Sequence, residues 1–264
     1  MRVLRASIIT VVAVLSLYVC SSLFLETADA ETANAISEIN WTYQGETGPD
    51  FWADLDTDFA ACKSGQSQSP IDLTGAKAVD LLNPEFHYEP VPLNLLNNGH
   101  TVQVPYAPGS YLMLEGQRYD LLQFHFHSPS EHAIDGQSEP VELHLVHRNE
   151  VGELAVVAVL LHADEVTGAA YQLMSQNLPY KAGDKVRTDA TINAEDLLPQ
   201  QTTTYRYSGS LTTPPCSESV TWLVMSQPVS LPNEQLTQYE KLLNHNNRPL
   251  QSLHKRSIQL DASS

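Results

Sequence analysis

Short strand-like runs dominate the pattern of apolar and polar positions. They begin at Thr101 (TVQVPY), Tyr111 (YLML), Tyr119 (YDLLQFHFH), Val141 (VELHLVH), Leu154 (LAVVAVLLH) and Ser219 (SVTWLVMS). Helical periodicity is scarcer. It predicts a helix from Asp164, as N-cap, to Leu178, and another from Asn233 to Asn244, in which Leu236, Tyr239 and Leu243 share a face. No long Gly/Ser linker, low-complexity tract or internal repeat interrupts residues 31–264, which read as one α+β domain, sheet-dominated with peripheral helices.

Strand geometry also says which side chains meet. Alternation puts Gln123, His125 and His127 on one face and Phe124 and Phe126 on the other. It pairs Glu142 with His144 and turns His147 away. If the two strands are antiparallel neighbours, His144 converges on His125 and His127.

Composition adds compartment rather than chemistry. The 264 residues are 42% hydrophobic and 17% charged, ordinary for a globular protein. A basic start (MRVLR), an uncharged run from Ala6 to Leu25 and small residues at Ala28 and Ala30 read as a secretory signal over residues 1–30. An uncleaved anchor is the rival reading. Either way the body is exported, to a periplasm or beyond the cell. The segment carries Arg2, Arg5, Glu26 and Asp29, so its removal leaves the net charge at -17, which argues against nucleic acid or an anionic membrane as partner. No obligatory protein partner is evident, and a homodimer is compatible with the sequence. Of three cysteines Cys20 lies in the signal, which leaves Cys62 and Cys216 as the pair for a disulfide in an exported protein.

A neutral imidazole in a core is costly unless its ring nitrogens find partners. Three histidines on rigid strands, converging with one coordination position open, describe a catalytic Zn²⁺ site. Ligating histidines hand their second N–H to an acceptor, and Gln123 and Glu142 each stand two residues before a histidine on its face. His125-x-His127-x3-Glu131 also fits the iron- or manganese-binding signature of cupins. The approach to His144 lacks the glycines of the second cupin motif, however, and no HExxH of zinc proteases occurs.

Several motifs in one order resemble the α-class carbonic anhydrases of the exported bacterial type, over residues 41–258. They are Trp41-x-Tyr43-x-Gly45-x-x-Gly48-Pro49-x-x-Trp52, Gln68-Ser69-Pro70-Ile71, Asn97-Asn98-Gly99-His100, the QFHFH run, Ser130-Glu131-His132, Glu142-Leu143-His144-Leu145-Val146-His147, Gly209-Ser210-Leu211-Thr212-Thr213-Pro214-Pro215 and Val220-Thr221-Trp222. The resemblance implies a single domain around a large, mostly antiparallel, twisted central β-sheet with short peripheral helices. It also implies reversible hydration of CO₂ to bicarbonate by a zinc-bound hydroxide, with Zn²⁺ on His125, His127 and His144.

The same resemblance implies further roles. Thr212, backed by Glu131, would orient the nucleophile; His100 would shuttle the proton along a path lined by Tyr43, Asn98 and Gln103. Val146, Val156, Leu211, Val220 and Trp222 would wall an apolar CO₂ pocket. His127 would be held by a backbone carbonyl near Asn246, and cis bonds are expected at Pro70 and Pro215. His87, His132, His147, His162, His245 and His254 are expected to be surface or structural histidines. Ser128 stands where many animal members carry Trp, and Gln103 where Asn is common, which alters the cavity without touching the ligands. The alternative function is a catalytically silent, carbonic-anhydrase-like binding module, against which the retained histidines, Thr212 and Glu131 argue.

Overall fold

The computed structural model describes residues 40–166 and 168–262, so the expected leader over residues 1–30 lies outside the described residues. In chain order the strands are β1 (Lys77–Val79), β2 (Glu85–His87), β3 (Val91–Asn97), β4 (Val102–Pro105), β5 (Tyr111–Leu114), β6 (Gln117–His127), β7 (Ala133–Ile134) and β8 (Gln137–Ser138). They continue as β9 (Val141–Arg148), β10 (Leu154–Ala163), β11 (Lys185–Ile192), β12 (Thr204–Ser210), β13 (Glu218–Met225), β14 (Val229–Leu231) and β15 (Gln259–Asp261). The helices are α1 (Trp52–Leu55), α2 (Ala61–Ser64), α3 (Ala169–Ser175) and α4 (Asn233–Leu243).

Among the described residues thirteen strands join in one sheet, in the order β1-β15-β12-β13-β10-β9-β6-β4-β3-β11. Strand β14 is added on β10, β5 on β6 and β2 on β5. Pairing is antiparallel except for β10 with β13 and β14, and β1 with β15. At the middle of this order β10 reads LAVVAVLLHA and is buried from Ala155 to Leu161, as a strand covered on both faces must be. The larger core fills one face, with Phe124, Phe126, Leu143, Leu145, Val157 and Val159 at its heart. A smaller cluster on the other face gathers Ile71, Val156, Tyr207, Val220 and Trp222.

The strand runs named above all form strands, whereas β3, β11 and β12 escape the pattern. Strand β11 (KVRTDATI) lies at the end of the strand order and exposes polar residues, β3 contains Pro92, and β12 (TYRYSGS) has no apolar run. The helix expected from Asp164 shrinks to α3. Asp164 is taken up elsewhere, its N–H donating to Leu231 O at 2.9 Å and its carboxylate accepting from Ser230 and from the N–H of Glu165. Extended Gly168 caps the helix instead, and Pro179 disfavours helical backbone at Leu178. Helix α4 follows expectation, with Leu236, Tyr239 and Leu243 buried and left-handed Asn244 ending it.

Cys62 and Cys216 are disulfide-bonded. The peptide bonds before Pro70 and Pro215 are cis, as is that before Pro129.

Candidate metal centre

In the β6–β9 ladder His125 stands directly opposite His144, and His127 opposite Glu142. A register shift between Leu121 and Gln123 decides which way β6 points these rings. Before it Tyr119 and Leu121, the odd positions, enter the large core; after it the even positions Phe124 and Phe126 do. Leu122 is the extra residue, and this bulge turns Gln123, His125 and His127 to the opposite face.

Each histidine is held from behind. His125 Nδ1 donates to Gln123 Oε1 at 2.9 Å, His127 Nδ1 to the Asn246 carbonyl at 2.7 Å, and His144 Nε2 to Glu142 Oε1 at 2.8 Å. All three partner oxygens can only accept, so the protons sit on the histidine nitrogens and the tautomers are set. Lone pairs remain on Nε2 of His125 and His127 and on Nδ1 of His144. The three rings offer ligand atoms within 4.8 Å of one another, and Nε2 of His127 is buried without any hydrogen-bond partner. Burial pushes all three pKa values down, that of His127 to about 4, so the rings are neutral near pH 7. A buried, unpartnered imidazole nitrogen converging with two more is costly alone and satisfied by a cation.

Glu142 accepts four hydrogen bonds: Oε2 from the backbone N–H of Glu131 and of His132, Oε1 from His132 Nδ1 and His144 Nε2. Burial alone would raise its pKa, but the charges and hydrogen bonds of His132 and His144 hold it well below the usual carboxylate range. The chain of bonds continues. His132 Nε2, its other nitrogen being protonated, accepts from Tyr207 Oη at 2.7 Å. Tyr207 in turn accepts from Ser69 Oγ at 2.8 Å, and Ser69 Oγ accepts from the N–H of Ser210. His132, Glu142 and His144 also cluster closely enough to suggest a metal, yet the nitrogens and oxygens facing one another are already hydrogen-bonded.

Glu131 is buried; Oε1 accepts from the Arg248 N–H at 2.8 Å, and Oε2 has no hydrogen-bond partner. Burial pushes its carboxyl up to about 7, against the pull of His144, Arg248 and the Thr212 hydroxyl. The Thr212 hydroxyl is therefore close enough to bias Glu131. The buried Arg248 guanidinium donates to Gln68 Oε1, Ser69 O and Cys62 O, each at 2.8 Å.

His100 follows a turn in which Asn98 Oδ1 accepts from the N–H of both His100 and Thr101 at 2.9 Å. Its ring stacks on Trp41 at 3.8 Å between centroids, is half-buried, and has its pKa lowered by that burial. Asn98 is exposed with Oδ1 spent in the turn, and Gln103 stands opposite His125 in the β4–β6 ladder. Burial, then the charge of Glu131, raises the Tyr43 phenol well above its usual value. Val156, Val220 and Trp222 are buried in the smaller core, against which Val146 and Leu211 pack half-buried.

Sequence reasoning left several supports without a part in the site: Tyr207, Ser69, Arg248 and the connecting role of His132. Asn246 is more than a carbonyl; its Nδ2 donates to His100 O and Phe126 O, and its Oδ1 accepts from Ser128 N. The one available signal was that Ser69, Ser210 and His132 fall within the spaced motifs.

A sequence profile of the eukaryotic-type carbonic anhydrases matches residues 47–262. A carbonic anhydrase of Nostoc sp. is 43% identical over 226 residues, spanning 83% of this chain and 85% of its own. Among solved structures, a hyperthermostable carbonic anhydrase from an active hydrothermal vent chimney superposes with a TM-score of 0.80 at 43% identity, covering 84% of this chain and 100% of that one. The α-carbonic anhydrase of Thermovibrio ammonificans, solved with the inhibitor sulfanilamide, gives 0.81 at 38% identity, over 84% and 99%.

Proposed function

The chain belongs to the eukaryotic-type, or α-class, carbonic anhydrases, and on that footing we propose that it hydrates CO₂ reversibly to bicarbonate and a proton with Zn²⁺ held by His125, His127 and His144. The observation that carries the metal is the buried, unpartnered Nε2 of His127 among rings whose other nitrogens are already committed. Bound there, the ion supplies a Lewis acid that brings the pKa of a water to about 7, the value established for carbonic anhydrases in general, and a double positive charge that favours ionised Glu131.

This chain's own residues supply the rest. Gln123 and Asn246 hold His125 and His127 with the proton on Nδ1, and Glu142 holds His144 with it on Nε2, so no proton competes for the remaining lone pairs. The Thr212 hydroxyl, turned to donate a hydrogen bond to ionised Glu131, would be left to accept from the nucleophile and so orient it. Val146 and Leu211, backed by Val156, Val220 and Trp222, offer CO₂ an apolar wall that needs no hydrogen bond. His100 carries the released proton outward, past Tyr43, Asn98 and Gln103. Its imidazole is the side chain suited to accept and release a proton near neutral pH. His100→Ala slows turnover in weak buffer and added imidazole restores it; equal rates with and without imidazole would exclude the shuttle.

Residues 1–30 act as an export signal and residues 31–264 as the exported domain, in a compartment where the Cys62–Cys216 bridge persists. The deciding experiment is stopped-flow CO₂ hydration, followed by a pH indicator, on residues 31–264 before and after the metal is stripped. Activity disappears on stripping and returns with Zn²⁺. Return with Fe²⁺ but not Zn²⁺ refutes the metal assignment, and a folded protein holding one zinc without activity is a binding module instead.

A further inference from the structure

Away from the three histidines a cavity of about 670 Å³ is lined by Arg206, Ser208, Thr221, Lys255 and Arg256, among others. Ser208 and Thr221 are ladder partners in the row of Ala155 and His147, and Tyr207, whose hydroxyl belongs to the His132 network, also borders it. Its lining carries three of the chain's 14 basic residues, Arg206, Lys255 and Arg256, and two carboxylates, Glu115 and Glu153.

These cations are incompletely matched. Arg256 spends its donors on three carbonyls, Leu253, Ser208 and Ser252, and among the described residues no carboxylate reaches ion-pair distance of it or of Lys255. Arg206 is 5% exposed; Nε donates to Thr204 Oγ1 and Nη2 to Leu82 O, with Asp261 3.6 Å away. Its Nη1 is buried with no hydrogen-bond partner and has only a long ion pair, 3.8 Å, with the exposed Glu115 carboxylate. A guanidinium nitrogen in that state is an unused donor, costly to keep.

We propose that this cavity binds a small, planar, singly charged oxyanion, a carboxylate or bicarbonate, on Arg206 Nη1 with Lys255 and Arg256 beside it. A guanidinium pairs best with a planar oxyanion. Glu115 and Glu153 penalise a second negative charge, and Glu115 swings aside to admit the ligand. The site stands apart from the three histidines and does not depend on the metal assignment.

The test is titration of the full-length, zinc-loaded, ¹⁵N-labelled protein with sodium bicarbonate, acetate, sulfate and chloride at constant ionic strength. The readout is the Arg206 and Arg256 Nε–H signals and the amides of Ser208 and Ser257. Bicarbonate or acetate, or both, shift them saturably, and which of the two does so identifies the source of the ligand. Lys255→Ala weakens that affinity about threefold, the scale of one exposed ionic contact, and Glu115→Gln strengthens it by about as much. Arg206→Lys weakens it further; should that variant not fold, the other two decide. Shifts that stay linear and equal for chloride, sulfate binding as tightly as acetate, or an affinity untouched by Lys255→Ala and Glu115→Gln each overturn the proposal.

Discussion

The orienting role proposed for Thr212 rests on a single hydroxyl. Thr212→Ala leaves the metal content intact and lowers kcat/KM about 100-fold, the scale of a misdirected reactant, whereas Thr212→Ser retains most of the activity. Equal turnover of the alanine variant would end the orientation argument. Glu142 acts at one remove. Glu142→Gln replaces one acceptor oxygen by a donor among four incoming N–H groups, which loosens His144 and lowers zinc affinity about 10- to 100-fold in chelator competition. Unchanged affinity would mean that His144 needs no such support. The histidines and Glu142 were legible because strand parity and spacing are local properties. Arg248 and Tyr207 were not, because their meaning lies in partners 117 and 75 residues away.

Strand β6 shows what a periodic pattern conveys and what it omits. The alternation around QFHFH identified the strand and the face shared by its histidines, but not the bulge at Leu122 that reverses the parity between Leu121 and Phe124. A bulge is a property of two strands, and one strand read alone does not contain it. On the far side of β9, His147 is buried, donates from Nδ1 to Ala155 O at 3.3 Å and accepts from the Tyr88 hydroxyl at 2.8 Å. Burial lowers its pKa from 6.5 to about 4. The unfolded chain therefore binds this proton first as pH falls. The stability the neutral ring contributes is whole above pH 6.5 and drains away toward pH 4, by about 3 kcal/mol. Urea unfolding across that range shows the loss, and His147→Gln flattens the slope; an unaltered slope would assign the acid sensitivity elsewhere.

For the molecule as a whole, the Cys62–Cys216 bridge closes the chain across 154 positions and ties α2 to the loop that carries Thr212. On the chain-entropy account a loop of that length stabilises the fold by about 5 kcal/mol. Reduction or the double Cys→Ser variant lowers the urea midpoint accordingly. Two thiols reacting in the unreduced, denatured protein would show instead that the bridge is not formed. The sheet-dominated architecture was legible from its central strands, whose apolar content is high, while its polar margin at β11 carried little signal. There is also an order in time. The three histidines lie within residues 125–144, but the carbonyl that orients His127 and the N–H that holds Glu131 belong to Asn246 and Arg248, 119 and 117 residues later. A chain made from its N-terminus carries every ligand long before it carries their last supports. The pocket therefore closes only once residues 246–248 have been added, and a metal arriving earlier would meet ligands that are not yet held in place.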